Sequence, residues 1–203
     1  MNFFKTSLFF FSFLFIAIVS HSQNVELVGG DLEKLKGEKT INIEFNYDKL
    51  GVGDFGREKD YVKKKTEEYN TKEPGSGDRW ALQWVADRKE RYEPKFIEFF
   101  CKYAEMTFDT AAKYTIIFKT SFIEPGFQVA VKKKAAEVEG TALIVETANK
   151  NKKVATISVE RGGSSMFKGA AFDSATRITE AYASAAKKMG VLVSKEMKKK
   201  GEK

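Results

Sequence analysis

Hydrophobic positions recur along this chain with two periods, and each period marks a different kind of element. In residues 40–47, Ile41, Ile43, Phe45 and Tyr47 alternate with polar neighbours, the two-residue period of a half-buried strand. Residues 113–123 carry the strongest strand signal, rich in β-branched and aromatic side chains, with Tyr114, Ile116, Phe118, Thr120 and Phe122 predicted on one face. Residues 137–147 and 153–161 read as two further strands, joined as a hairpin through 148–152. Glu124-Pro-Gly126 is a turn in which Gly126 supplies positive φ, and Phe127, Val129 and Val131 alternate briefly before Lys132-Lys-Lys134.

The second period is helical. Asp31 and Gly37 bracket a short helical turn as N-cap and left-handed stop. Residues 57–71 form a charged surface helix whose apolar handles are Tyr61, Val62 and Tyr69. Residues 79–92 place Trp80, Trp84, Arg88 and Tyr92 four apart, on one face. Pro94 suits the first turn of a following helix, 95–105, amphipathic through Phe96, Phe99, Phe100 and Tyr103. A last helix over 173–200 repeats Ala175, Ile178, Tyr182, Ala185, Met189 and Leu192 along one buried stripe. Gly190 within it is expected to weaken the helix by about 1 kcal/mol relative to Ala.

No βα unit repeats, so the order of elements predicts an α+β fold. The expected architecture is a single antiparallel or mixed sheet of about four strands, with helices packed on one face and a long C-terminal helix. Residues 23–203 are expected to form one domain, with no internal linker.

The first 22 residues read as a secretory signal peptide. Lys5 supplies the positive start, residues 8–19 are an apolar run broken only by Ser12, and Ser20 and Ser22 are the small residues before a cut at Gln23. A membrane span needs about 20 apolar residues, so no stable transmembrane anchor is expected. No Cys follows the run to accept a lipid. The expected location is the periplasm or the exterior, with the protein soluble or peripherally associated with the envelope.

Cleavage changes the chemistry. The one His of the chain, His21, leaves with the leader, which excludes Ser–His–Asp triads, Cys–His pairs and His-ligated zinc. The one Cys, Cys101, leaves no intramolecular disulfide and reads as a small buried residue. No catalytic residue, metal ligand or cofactor is assigned. The net charge of +7 in 203 residues comes mostly from Lys, dispersed and without the Arg enrichment of nucleic-acid sites, so no nucleic-acid partner is expected. The positive charge is compatible with a weak affinity for anionic surfaces.

Three features are candidate sites. Gly51-Val-Gly53-Asp-Phe-Gly56 matches a dinucleotide fingerprint literally. Asp54, Glu58 and Asp60 would set carboxylates where a pyrophosphate sits, so it reads as a turn leaving an edge strand. The loop Arg161, Gly162, Gly163, Ser164, Ser165, Met166, Phe167, Lys168, Gly169 combines small residues, hydroxyls and two cations ahead of a helix, a composition suited to an anion or small ligand. Trp80, Trp84, Arg88 and Tyr92 form either a stacking surface or core packing, with Arg88 expected over Trp84.

The chain also resembles a family of small exported envelope proteins of Gram-negative gut-type bacteria, uncharacterised in function. The resemblance rests on Leu35-Lys-Gly-Glu-Lys39, Gly77-Asp-Arg-Trp80, Trp84-Val-Ala-Asp-Arg88, Tyr92-Glu-Pro-Lys-Phe96 and Ala112-Lys-Tyr-Thr115. It continues through Phe122-Ile-Glu-Pro-Gly-Phe127, Val145-Glu-Thr-Ala-Asn149 and Arg177-Ile-Thr-Glu-Ala-Tyr182. The Glu-Pro-Gly-Phe turn, hairpin and last helix are more distantly similar to unannotated bacterial lipoproteins. The resemblance implies an envelope location and one domain, and no activity.

The function expected first is a non-enzymatic binding domain whose partner is an envelope protein or polymer. An anion or small-molecule carrier using 161–169 is the alternative, and a histidine-free carboxylate hydrolase the third reading. N-terminal sequencing of exported material is expected to begin at Gln23; a start at Met1 would contradict the leader assignment.

Overall fold

The computed structural model describes residues 24–129, 132–161 and 173–199. The leader assigned to 1–22 and most of the 161–169 loop, from Gly162 onward, lie outside the described residues.

Alternation in the two strongest strands builds the centre of a sheet. β1 (Val25–Gly30), β2 (Thr40–Asn46), β3 (Gly51–Val52), β4 (Thr107–Phe108), β5 (Tyr114–Glu124), β8 (Glu137–Glu146) and β9 (Asn149–Val159) form one seven-stranded sheet. The order is β1-β9-β8-β5-β2-β4, with β3 paired to β5 beyond β2. β2 and β3 run parallel to β5, and β4 runs parallel to β2, while β1, β9, β8 and β5 pair antiparallel. β6 (Phe127–Val129) and β7 (Lys132–Lys134) form a separate two-stranded hairpin.

This corrects the expected sheet of about four strands. The extra members lack the alternation that reveals a strand. β1 ends in Gly29-Gly30, and β3 and β4 are two residues each. Gly30 holds φ +79, and a Cβ there would lie 2.1 Å from the Val154 carbonyl oxygen, so only glycine lets β1 lie against β9.

A second difference sits in β5. Tyr114, Ile116, Phe118 and Thr120 are buried on the helix side, and then the register with β8 shifts between Thr120 and Phe122. The bulge at Ser121 reverses the phase, so Ile123 turns inward and Phe122 moves to the opposite face.

Among the described residues there are four α-helices: α1 (Glu58–Lys72), α2 (Ser76–Asp87), α3 (Glu93–Ala104) and α4 (Ser174–Lys198). The Asp31-capped turn is a single 3-10 helix over Leu32–Leu35. α2 and α3 are one continuous rod, joined by a π turn over Arg88–Tyr92 in which the Glu93 N–H donates to the Arg88 carbonyl five residues back. The wider turn accommodates Pro94, whose ring would crowd the Glu90 carbonyl in a regular helix.

α3 and α4 cover one sheet face. Phe96 meets Phe118 with ring centroids 4.8 Å apart, Phe45 meets Phe96 at 5.3 Å, and Tyr182 meets Phe118 at 6.2 Å. Ile41, Ile116, Ile144 and Ile157 from the sheet and Phe100, Ile178, Ala185 and Met189 from the helices are fully buried around them. α4 begins on Asp173, whose carboxylate accepts from the Ala175 and Thr176 N–H groups and pairs with Arg91 at 2.8 Å. Burial disfavours the charged form of Asp173, and the hydrogen bonds from Ala175, Thr176 and Arg91 outweigh it, holding its pKa below the usual value.

Gly190 lies where α4 crosses α3. A Cβ there would stand 2.8 Å from the Phe100 carbonyl oxygen and 2.9 Å from the Ala104 nitrogen, both backbone atoms that cannot turn aside. Gly190→Ala is therefore expected to destabilise the protein by about 1–3 kcal/mol, overriding the helix-propensity gain of about 1 kcal/mol. Urea denaturation reads the sign; a stabilised variant contradicts this packing.

Candidate functional site

The carboxyl ends of β2, β3 and β5 lie together, because these three strands run parallel. In open sheets this is the end where loops converge and ligands bind. Here it receives the α1–α2 hairpin, the glycine turn after β3, and the base of the β6–β7 hairpin.

The α1–α2 hairpin closes tightly because Gly77 packs on the Thr66 carbonyl, 2.1 Å from where a Cβ would be. Its inner side is aromatic. Tyr61 contacts Trp84 at 5.2 Å and Trp80 at 5.9 Å, Trp80 contacts Tyr69 at 5.6 Å, and the two tryptophans lie 5.6 Å apart. Trp84 is buried, Trp80 half-buried and Tyr92 fully buried, stacked on Tyr182 at 5.3 Å. Arg88 stacks on Tyr47 at 4.2 Å instead of on Trp84. Glu58 ties the group together, accepting from the Trp84 indole N–H at 2.6 Å and pairing with Arg88.

Beneath lies a polar core. The Tyr182 hydroxyl bonds with Thr120 at 2.9 Å and with Tyr47, and Tyr47 donates to buried Glu93 at 3.4 Å. Burial pushes the Tyr47 hydroxyl far above its ordinary pKa, and Tyr182 and Glu93 add to the shift; burial does the same for Tyr182, Tyr92 and Tyr61. These phenols stay neutral, so they serve as hydrogen-bonding packing groups and not as proton carriers near neutral pH. Burial raises the Cys101 thiol as well, which keeps it protonated.

The Gly51–Gly56 segment is a tight turn. Val52 and Phe55 exchange backbone hydrogen bonds, Gly53 holds φ +56, and the Gly53 N–H donates to the Ile123 carbonyl. The turn borders two recesses. One, of about 320 Å³, includes Lys49, Phe122, Glu139 and Arg161. There Arg161 lies 3.5 Å over the Phe122 ring and pairs with Glu139 at 2.8 Å, while Ser121 donates to the same carboxylate. Of the predicted ligand loop this is the member the structure places; Gly162, Gly163, Ser164, Ser165 and Lys168 lie outside the described residues.

The other recess, about 350 Å³, opens between the glycine turn, α1 and the β6–β7 hairpin. Its wall includes Phe55, Tyr61, Phe127, Lys64, Lys65 and Glu124. Lys64 sits over the Phe55 ring at 5.5 Å, and Phe55 meets Tyr61 at 5.9 Å. Glu124 has one oxygen on the Gly126 N–H at 3.0 Å and the other on Lys134 at 2.7 Å. A carboxylate engaged on both oxygens braces the hairpin. Arg177 completes the brace, donating to the Pro125 and Gly126 carbonyls at 3.1 Å each. These recess residues come from four separate segments, and nothing in their local pattern marks them as neighbours.

No family model matches the chain, and no curated protein matches it. Among solved structures, the PelC dodecamer from Paraburkholderia phytofirmans is similar over 81% of this chain and 96% of that one, at 10% identity and a TM-score of 0.39. A point variant of the same PelC aligns over 85% and 98%, at 10% identity and a TM-score of 0.38. Overlap at that score is too loose to carry a function from one chain to the other. No described helix is long and apolar enough to cross a membrane.

Glu124→Ala is expected to release the hairpin base by removing the acceptor of both Gly126 and Lys134, at a cost of about 1–3 kcal/mol. Hydrogen exchange in 126–134 should accelerate more than in the β5–β8 ladder; uniform protection would refute the brace.

Proposed function

We propose that this chain is an exported, non-enzymatic binding domain of the cell envelope that grips an anionic envelope polymer in the recess between the glycine turn, α1 and the β6–β7 hairpin. The observation that carries the reading is the shared wall of rings and ammonium groups: Phe55, Tyr61 and Phe127 beside Lys64 and Lys65. Aromatic faces stack on the apolar faces of sugar or peptide units, and lysines meet their carboxylates or phosphates. The frame behind them is fixed by Glu124, Arg177 and the Gly53 turn, which lowers the ordering cost of binding. Export is read from the leader-like residues 1–22.

The carrier reading draws less from the described residues, since Arg161 is the one member of the 161–169 loop among them; its pairing with Glu139 is matched in the recess by that of Lys65 with Glu68 at 2.7 Å, so an anion at either place competes with an ion pair. A carboxylate hydrolase would need a proton-donating acid, and Glu124 is occupied by two donors.

Polygalacturonate oligomers serve as the anionic polymer probe. Titration followed by intrinsic fluorescence should show saturable binding that weakens with salt, and Lys64→Glu/Lys65→Glu should weaken it about tenfold with an unchanged melting temperature. Equal binding by the double variant, or no saturable signal from the wild type, would sink the proposal.

A further inference from the structure

The α1–α2 hairpin is held together by its aromatic side. No residue of α1 is fully buried, and Gly77, Trp80 and Trp84 of α2 pack against it. Leu82 and Val85 lie off that side, 76% and 52% exposed, and Leu82 is the most exposed large apolar side chain among the described residues. Three apart on a helix, the two are neighbours, so they form a patch and not a scatter.

Charge continues the stripe. Asp78, Leu82, Val85 and Lys89 are spaced four, three and four, the spacing of a helix seam. The π turn begins at Arg88, too late to carry Lys89 off the line of Val85. The seam is acidic at its amino end and basic at its carboxyl end. Laid antiparallel on itself, it sets Leu82 against the second copy's Val85 and Asp78 against the second copy's Lys89, and a two-fold axis repeats both contacts. The parallel arrangement instead puts like charge on like charge, so electrostatics fixes the orientation.

Both end charges keep capacity for a partner. Lys89 pairs with Glu93 at 2.7 Å, yet its side chain is 80% exposed and its ammonium has three donors. Asp78 accepts the Asn70 amide at 3.2 Å on one oxygen. The adjacent charges of opposite sign are engaged elsewhere, Arg79 by Glu73 at 2.7 Å and Glu90 by Gln83 at 3.0 Å.

We infer that α2 is a homodimerisation helix: a second copy of this chain docks antiparallel along Asp78, Leu82, Val85 and Lys89. α2 has 12 residues, about 18 Å of helix. The contact therefore falls below the roughly 1,200–2,000 Å² of a stable complex, and the dimer is weak and forms with rising concentration. The seam shares no residue with the recess wall, and the inference does not rest on the polymer reading. Two recesses on one particle strengthen the hold on a repeating polymer without any new contact.

The test is sedimentation velocity of the full chain over rising concentration, with a circular-dichroism melt for each variant. The wild type should shift from monomer toward dimer. Asp78→Lys and Lys89→Asp, each placing two like-charged pairs in the seam, should each weaken association about tenfold. Mixed in equal amounts, the two variants should recover it as a mixed dimer, since every end contact then joins a cation to an anion. Both variants keep a net positive charge, so bulk attraction does not imitate the recovery. Leu82→Ser/Val85→Ser touches no ion pair and guards against misfolding: it should weaken association about tenfold with an unchanged melt. A wild type that stays monomeric overturns the inference, as does a serine variant that associates like the wild type. So does association that survives both charge reversals, the result that self-contact through residues 1–22 gives, or a mixture no stronger than its components. Polygalacturonate binding by the serine variant reports on the recess separately, so failure of one proposal is distinguishable from failure of the other.

Discussion

The crossing of α3 over α4 decides how near the helical layer comes to the sheet. At Gly190 the two backbones meet with no side chain between them, and that contact lets Phe96 and Tyr182 both reach Phe118 at the centre of β5. A larger residue would lift one helix and open the stack from Tyr92 through Tyr182 to Phe118. Interiors pack at near-crystalline density, so a separation of this kind has no cheap local repair. The same glycine that weakens α4 as an isolated helix is what fits it to the fold.

From that layer the order passes to the carboxyl end of the sheet through polar contacts. Tyr182 holds Thr120 and Tyr47, Tyr47 lies under Arg88, and Arg88 pairs with Glu58 at the start of α1. Tyr182, Thr120, Tyr47, Arg88 and Glu58 are each buried or half-buried, where a partner matters most. The neighbouring Tyr92 hydroxyl differs, buried with no hydrogen-bond partner among the described residues. The result is a rigid shelf on which the α1–α2 hairpin and the glycine turn rest, with lysines and rings at its rim. Rigidity beneath and open side chains above suit a surface that holds a partner.

Much of this fold was legible because burial imposes a period. Ile41, Ile43, Ile116 and Phe118 must be apolar at every second residue, and Ile178, Tyr182, Ala185 and Met189 at every third or fourth. Edge strands escape that demand. β1 has a neighbour on one side only, and β3 and β4 are too short to show any alternation. The Ser121 bulge was invisible because a one-residue offset is set by the partner strand, and it sent Phe122 to the wrong face in the sequence reading. The tryptophan spacing was plain, but its partners Tyr61, Tyr69 and Glu58 come from another helix, so local pattern misassigned Arg88 to Trp84. The recess as a whole was not legible: the Glu124–Phe127 turn is local, but the parallel pairing of β3 with β5 is what brings it beside Phe55 and Lys65.

The π turn at Arg88–Tyr92 has an architectural consequence of its own. One surplus residue in a helix rotates everything beyond it by roughly 100°, so the two halves of the 76–104 rod address different neighbours: Trp84 looks to α1, while Phe96 and Phe100 look to the sheet. A single unbroken cylinder thereby acts as an angular coupling between two layers that never touch the same stripe. Its setting depends on a count of residues and hardly on their identity, which makes insertion or loss of one amino acid there a larger change to this molecule than most substitutions.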